Sequence, residues 1–259
     1  MNHNPAISQQ AISATDLEFS YHSHATNNVL GPLSLTIARG KLTSILGPSG
    51  CGKSTLLRLF AGLLAPSHGV LSINDMPGGA PPRFSFVFQD PTLLAWSSVQ
   101  DNVSLPLKIA GISPSEASQK SFVALESVGL TNAINKMPHT LSGGMRMRVS
   151  LARALVTKPD VILLDEPFAA LDELTRHRLD EELRALVENT GITAIFVTHN
   201  VSESVFLADD ILVLKANPGL VAHRLSISDE PKRDPKWRRD AAFHKHCEDL
   251  AAIMLETAS

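Results

Sequence analysis

The sequence predicts an α/β fold: a mostly parallel sheet core, an antiparallel β part on its N-terminal side and an inserted helical subdomain. Three observations predict it. Apolar runs at 42–46, 161–164, 192–197 and 211–214 have the length and composition of strands buried on both faces. Amphipathic stretches lie between them; Leu179, Leu183, Leu186 and Val187, for example, recur at helical spacing. The run at 42–46 leads into a glycine-rich turn, Gly47, Pro48, Ser49, Gly50, Cys51 and Gly52, then Lys53, Ser54, Thr55 and a helix-like run to Ala61. Strands alternating with helices call for a parallel sheet covered on both faces.

The elements follow in order. Residues 1–14 are polar and read as a flexible N-terminus. Residues 17–21 and 33–37 alternate as strands, and Gly40 turns the chain into the strand at 42–46. Gly62 stops the helix after the turn. Residues 69–74 form a short strand, 75–82 a Gly- and Pro-rich surface connection, and 84–88 a strand that runs into Gln89. From 91 to 156 the signal is helical, with breaks expected at Pro106, 111–114, Gly129 and Pro138. Gly191 caps the helix that carries Leu179. The main domain spans 15–215, with the helical subdomain at about 91–156. Residues 216–259 form an extension: a charged linker at 231–239, then a helix with Phe243, Cys247, Leu250 and Met254 on one face.

Composition narrows the classes of function. The 259 residues are 44% hydrophobic and 19% charged, ordinary for a globular protein. A net charge of −3 gives no electrostatic ground for binding nucleic acid, and none is expected as a partner. The two cysteines, Cys51 and Cys247, fit a reduced setting, since Cys51 lies in the glycine-rich turn. The first ten residues have no apolar core, so no secretory signal is read there. No stretch approaches the roughly 20 apolar residues that span a bilayer. Work at a membrane would need another chain to hold this one there.

The turn at 47–55 has the pattern of a phosphate-binding loop between strand and helix, where backbone N–H groups and the helix N-terminus surround an anion. Lys53 reaches the outer phosphates and Ser54 is placed to hold a magnesium ion. Asp165 and Glu166 end an apolar strand, the place where such sheets put ligand groups; Asp165 suits magnesium and Glu166 suits a base for an attacking water. His199 ends the next strand and can donate to a terminal phosphate. Gln89 follows the strand at 84–88, and its carboxamide is a weak, releasable magnesium ligand. Leu141, Ser142, Gly143, Gly144 and Met145 precede a helix and make a second anion cradle. One nucleotide loop and a distant second cradle invite a two-copy explanation. The pairs His22/His24 and His244/His246 lack further ligands and are not read as metal sites.

Taken together, the segment at 47–55, Gln89, the segments at 141–145 and 161–166, Ala169, Ala170, Leu171, Asp172 and His199 resemble the ATPase subunits of ABC transporters. The resemblance runs over about residues 17–214 with the motifs in family order. It implies a P-loop NTPase core of the RecA-like kind, ATP and Mg2+ as cofactors, and Tyr21 stacked on the adenine. It also implies two subunits, a homodimer by default, closing on two ATP. Transmembrane permease subunits and a periplasmic or lipid-anchored solute-binding protein complete the partners. The expected location is peripheral, on the cytoplasmic face of the inner membrane. Residues 88–96 and Asn217, Pro218, Gly219 resemble the nitrate, sulfonate and taurine import branch, which also holds importers of thiamine precursors. At least one of Leu93, Leu94 and Trp96 is expected to meet the permease. Three positions depart from the family pattern: Met145 for glutamine, Ala169 for serine and Asn200 for an acid. A soluble ABC ATPase in DNA repair would carry a long coiled coil, which the interval 89–141 is too short to hold. One in translation would carry two ATPase halves, whereas one is seen here. A nucleotide-dependent assembly protein without turnover does not fit an intact Glu166 and His199. The leading reading is the ATP-hydrolysing subunit of an importer for a small anionic solute such as an aliphatic sulfonate, taurine or nitrate, with an exporter as a rival; this chain alone does not name the solute or exclude export.

Overall fold

The computed structural model describes residues 9–21, 28–227 and 233–258. In chain order its elements are β1 (Gln10–Phe19), β2 (Leu30–Ala38), β3 (Leu42–Leu46), α1 (Lys53–Phe60), β4 (His68–Ile73), β5 (Phe84–Val87), α2 (Val99–Ile109), α3 (Pro114–Ser127), α4 (Gly143–Leu155), β6 (Val161–Asp165), α5 (Glu173–Thr190), β7 (Thr193–Thr198), α6 (Val201–Leu207), β8 (Asp210–Lys215), β9 (Leu220–Ser226) and α7 (Ala241–Ala258). A 3-10 turn, Pro235–Arg239, precedes α7.

Alternation along the central strands decides the layering. The main sheet has the order β5-β6-β7-β3-β8-β9, parallel except for the antiparallel edge strand β9. Ile162, Leu164, Ala194, Phe196 and Val213 point to one side, where α4, α5, α6 and α7 cover them. Leu163, Ile195, Val197 and Leu212 point to the other, onto α1 and the antiparallel sheet β2-β1-β4. A third cluster joins α2 and α3 to the outer side of α4 through Val103, Leu125, Val149 and Ala152. So α4 belongs to both the core layer and the helical subdomain.

Four sequence expectations are corrected. Residues 10–14 are strand, not loose chain: Ala11, Ile12 and Ala14 are buried. Asp16, at φ 47°, breaks the ladder with β2 and with β4 and so hides the continuity of β1. Pro106 lies inside α2 rather than ending it; its carbonyl still accepts from Ala110 N at 3.0 Å, and Val103 and Leu107 hold the helix on the third cluster. Residues 88–98 are irregular, so helix begins only at Val99. The chain after Lys215 is part of the fold: Asn217–Gly219 turn β8 into β9, and the linker read at 231–239 carries buried Arg233 and Trp237. His22, His24 and Lys232 lie outside the described residues.

Candidate functional site

Register brings the candidate groups to one edge. Leu46 lies abreast of Thr198, and Asp165 abreast of Val197. The loop after β3, His199 after β7, the acids at the end of β6 and Gln89 after β5 therefore leave neighbouring parallel strands at their C-terminal ends, where open α/β sheets bind ligands.

The loop is shaped by glycine. Gly52 caps α1 at φ 95°, with Leu30 Cδ2 only 2.5 Å from where a Cβ would stand. The first N–H groups of α1 are thus open to an anion at the positive end of the helix. Lys53, 5% exposed, donates from Nζ to the carbonyls of Gly47 (2.9 Å) and Pro48 (3.0 Å), across the same loop. Cys51 is buried against Leu30 and its neighbours, and burial pushes its thiol up, away from reactivity. Thr55 Oγ1 lies 3.0 Å from the Tyr21 hydroxyl, and Tyr21 packs edge-on to Phe19 at 4.9 Å with much of its ring exposed. The aromatic expected at the adenine is thereby tied to the end of the phosphate loop.

Asp165 points onto α1, where it accepts from Ser54 Oγ at 2.8 Å. Burial raises its pKa first; the Ser54 hydrogen bond opposes this, and the neighbouring Glu166 charge adds to it. Glu166 breaks the alternation at φ 44°, a left-handed conformation, with its N–H bonded to Val197 O at 3.0 Å. That turn brings its carboxylate between Lys53 Nζ, 3.6 Å away, and His199 Nδ1, 2.9 Å away. His199 is 57% exposed at the sheet edge. Lys53, Ser54, Asp165, Glu166 and His199 thus meet in one cluster. Gln89 stands exposed just after β5, the strand next to β6.

Residues 142–144 do not join that cluster. Ser142 is exposed and caps α4, accepting from Met145 N at 3.3 Å. α4 covers one face of the sheet and α1 the other, so this cradle and the loop sit on opposite layers of one chain. Gly144 is buried under α5. Met145 packs into the helical cluster. Asp172 caps α5, accepting from Thr175 N at 3.0 Å, and that hydrogen bond lowers its pKa. Asn200, where an acid was expected, caps α6 by accepting from Glu203 N at 3.1 Å, a task its side-chain oxygen performs without charge. Leu93 packs into the helical cluster, while Trp96 is 77% exposed.

Sequence reasoning missed the polar cluster beneath His199. Glu203, four residues on, is buried and accepts from Thr198 Oγ1. Arg176 lies 3.4 Å from it, and Asp180, fully buried, accepts from Arg238 at 2.6 Å. The available signal was an acid in the first turn of a short helix whose last three residues are apolar; its partners come from distant sequence.

Residues 30–169 match the sequence profile of the family described as ABC transporter. The chain is 44% identical over 200 residues to the taurine import ATP-binding protein TauB of Yersinia pestis, covering 77% of this chain and 78% of the relative. It is 39% identical over 227 residues to the aliphatic sulfonates import ATP-binding protein SsuB 2 of Pseudomonas syringae pv. tomato, covering 87% and 91%. A solved dimer of an ATP-binding cassette in a post-hydrolysis state, bound to ADP and Pi, superposes with a TM-score of 0.73 at 29% identity, over 83% of this chain and 98% of that one. A profile that spans more than half of the chain, and relatives this similar over most of their length, make this chain a member of the ABC transporter family.

Proposed function

We propose that the protein is the ATP-hydrolysing subunit of an ABC importer for a small anionic solute such as taurine, an aliphatic sulfonate or nitrate. The observation that carries the chemistry is the meeting of Lys53, Ser54, Asp165, Glu166 and His199 at one sheet edge. The taurine and sulfonate import subunits supply the direction and the class of solute. The solute itself would be chosen by a permease and a periplasmic or lipid-anchored solute-binding protein. No helix among the described residues is long and apolar enough to cross a membrane, which fits a peripheral subunit held on the cytoplasmic face by its permease. Exposed Trp96, in the irregular segment that follows β5 and Gln89, is the residue we assign to that contact.

In this reading the N–H groups of 47–55 and the Lys53 ammonium hold the β- and γ-phosphates, and Tyr21 stacks on the base. The donors Ser54, Asp165 and Gln89 are all oxygen, the set that magnesium prefers, and a carboxylate disfavoured by burial gains from a cation. Bound there, magnesium would neutralise charge on the phosphate oxygens. Glu166 takes the proton of the attacking water, and His199, oriented by Glu166, donates to the γ-phosphate. Ser142, Gly143 and Gly144 of a second copy close the site; their place on the opposite layer and the solved dimeric relative support the pairing. Glu166→Gln is expected to keep ATP binding and lose about 100-fold in turnover, read by phosphate release. Turnover at the wild-type rate would remove Glu166 from this role.

A further inference from the structure

The segment that bears His199 is short, and what holds it lies beneath. Asn200 N donates to Thr198 Oγ1 at 3.0 Å, Thr198 Oγ1 donates to Glu203 Oε2, and Glu203 N donates to Asn200 Oδ1. His199 lies in the chain between Thr198 and Asn200, the two residues this ring ties together. Glu203 is 4% exposed, so its carboxylate has left water and depends on these partners. Its other oxygen faces Arg176 at 3.4 Å. Arg176 Nη2 in turn donates to Leu171 O at 2.7 Å, at the end of the segment 169–172.

A second carboxylate, Asp180, lies close enough to Glu203 to raise its own proton affinity, though burial is the larger cause. Arg238, from the C-terminal segment, answers it: Nη2 donates to Asp180 Oδ2 at 2.6 Å and Nη1 to Ser202 Oγ at 3.4 Å. Its guanidinium also lies 3.7 Å from the centre of the Phe206 ring. Ser202, Glu203 and Phe206 all belong to α6, the helix that begins just after His199. Trp237 and Phe243 pack on the same helix and on each other, so the segment 233–258 is fastened to α6 by charge and by ring contacts. Asp180 Oδ1 and Arg238 Nε have no further hydrogen bond among the described residues. A buried polar network that is not fully bonded responds strongly to loss of one member.

We propose that Glu203 is a positioning residue for His199, and that the C-terminal segment, through Arg238, completes the buried cluster that keeps Glu203 and α6 in place. The C-terminal segment is thereby part of the hydrolytic switch, although none of its residues touches the nucleotide. The proposal rests on the role assigned to His199 above, and its test separates the two.

The full-length chain is labelled with 13C at histidine rings, and the His199 resonance is identified by its loss in His199→Gln. Glu203→Leu is expected to lower kcat about tenfold with KM for ATP changed less than about threefold, and to move the His199 resonance. Glu203→Gln, which keeps an oxygen for Thr198, recovers most of that loss. Arg238→Met, which keeps the packing on Phe206, lowers kcat severalfold and moves the same resonance in the same direction. The proposal is overturned if Glu203→Leu and Arg238→Met lower the melting temperature while kcat per folded molecule and the His199 resonance stay as in the wild type. Should Glu203→Leu fail to fold, Arg238→Met and Ser202→Ala decide by the same two readouts. If His199→Gln keeps full turnover, the assignment of the histidine fails, and the resonance in Glu203→Leu and Arg238→Met still tells whether the cluster positions it.

Discussion

A methyl group on Gly144 would stand 2.7 Å from Thr175 Cγ2, closer than packed carbons come. The glycine thus gives α5 a close seat at the start of α4. Gly144→Ala is expected to cost about 1–3 kcal/mol by overpacking, less the fraction that alanine returns as a better helix former. Adding Thr175→Ser removes the clashing methyl and should restore most of the melting temperature; no recovery would place the strain elsewhere. Lys53 gives a sharper case. Its ammonium is buried and directed across the loop, so Lys53→Ala should abolish tight nucleotide binding, measured with a fluorescent analogue, while the fold remains. These residues were legible in the sequence because each belongs to a local motif whose backbone does the positioning. Asp180 and Arg238 were not. They meet across 58 residues of chain, and nothing in either neighbourhood names the other.

At the scale of elements, legibility followed burial. β3, β6, β7 and β8 are covered on both faces, so each reads as an apolar run, and Gly191 ends α5 in the left-handed conformation its sequence position suggested. β9 has one neighbour and several exposed residues, His223 and Arg224 among them, so no run marks it. The C-terminal segment misled for a related reason: its charges suggest solvent, yet Arg233 donates to the carbonyls of Ala208 and Ile227, and Arg238 turns inward to Asp180. Trp237, 2% exposed between Phe206 and Phe243, is the apolar anchor of that segment. Trp237→Ala should cost about 3–5 kcal/mol in urea unfolding. The packing of α5 against this segment also predicts a pH dependence. Burial, with Glu203 nearby, pushes Asp180 up to about 7 from 3.8, even though Arg238 lies against it and Arg176 is close. Between those two values the folded chain holds a proton that the unfolded chain has released, so this group's contribution to stability falls as pH rises across the window. Asp180→Asn imitates the protonated carboxyl. Its stability relative to the wild type should therefore be better at about pH 8 than at about pH 5, a comparison that urea curves at both values make directly. Glu203, raised by burial in the same direction, leaves part of the slope in the variant.

Over the whole molecule the decisive feature is that the two segments we propose as anion cradles sit on opposite layers of the sheet. The loop at 47–55 feeds α1 on one side of the sheet, and Ser142 caps α4 on the other. In the function we propose, one chain folded this way offers a nucleotide half of its enclosure, and a second copy related by a two-fold axis offers the other half, twice over. Association should then depend on the nucleotide and hydrolysis should reverse it, because the contacts that join the copies run through the phosphates. With Glu166 as the proposed base, Glu166→Gln is expected to arrest the cycle before cleavage, so ATP with magnesium should double the mass of that variant in light scattering, and ADP should not. Placing a bulky cation in the cradle of the same background, Glu166→Gln with Ser142→Arg, should leave the mass unchanged while nucleotide still binds to the loop. The pairing is refuted if the added Ser142→Arg leaves ATP-driven doubling intact, since the surface that joins the copies would then lie away from α4.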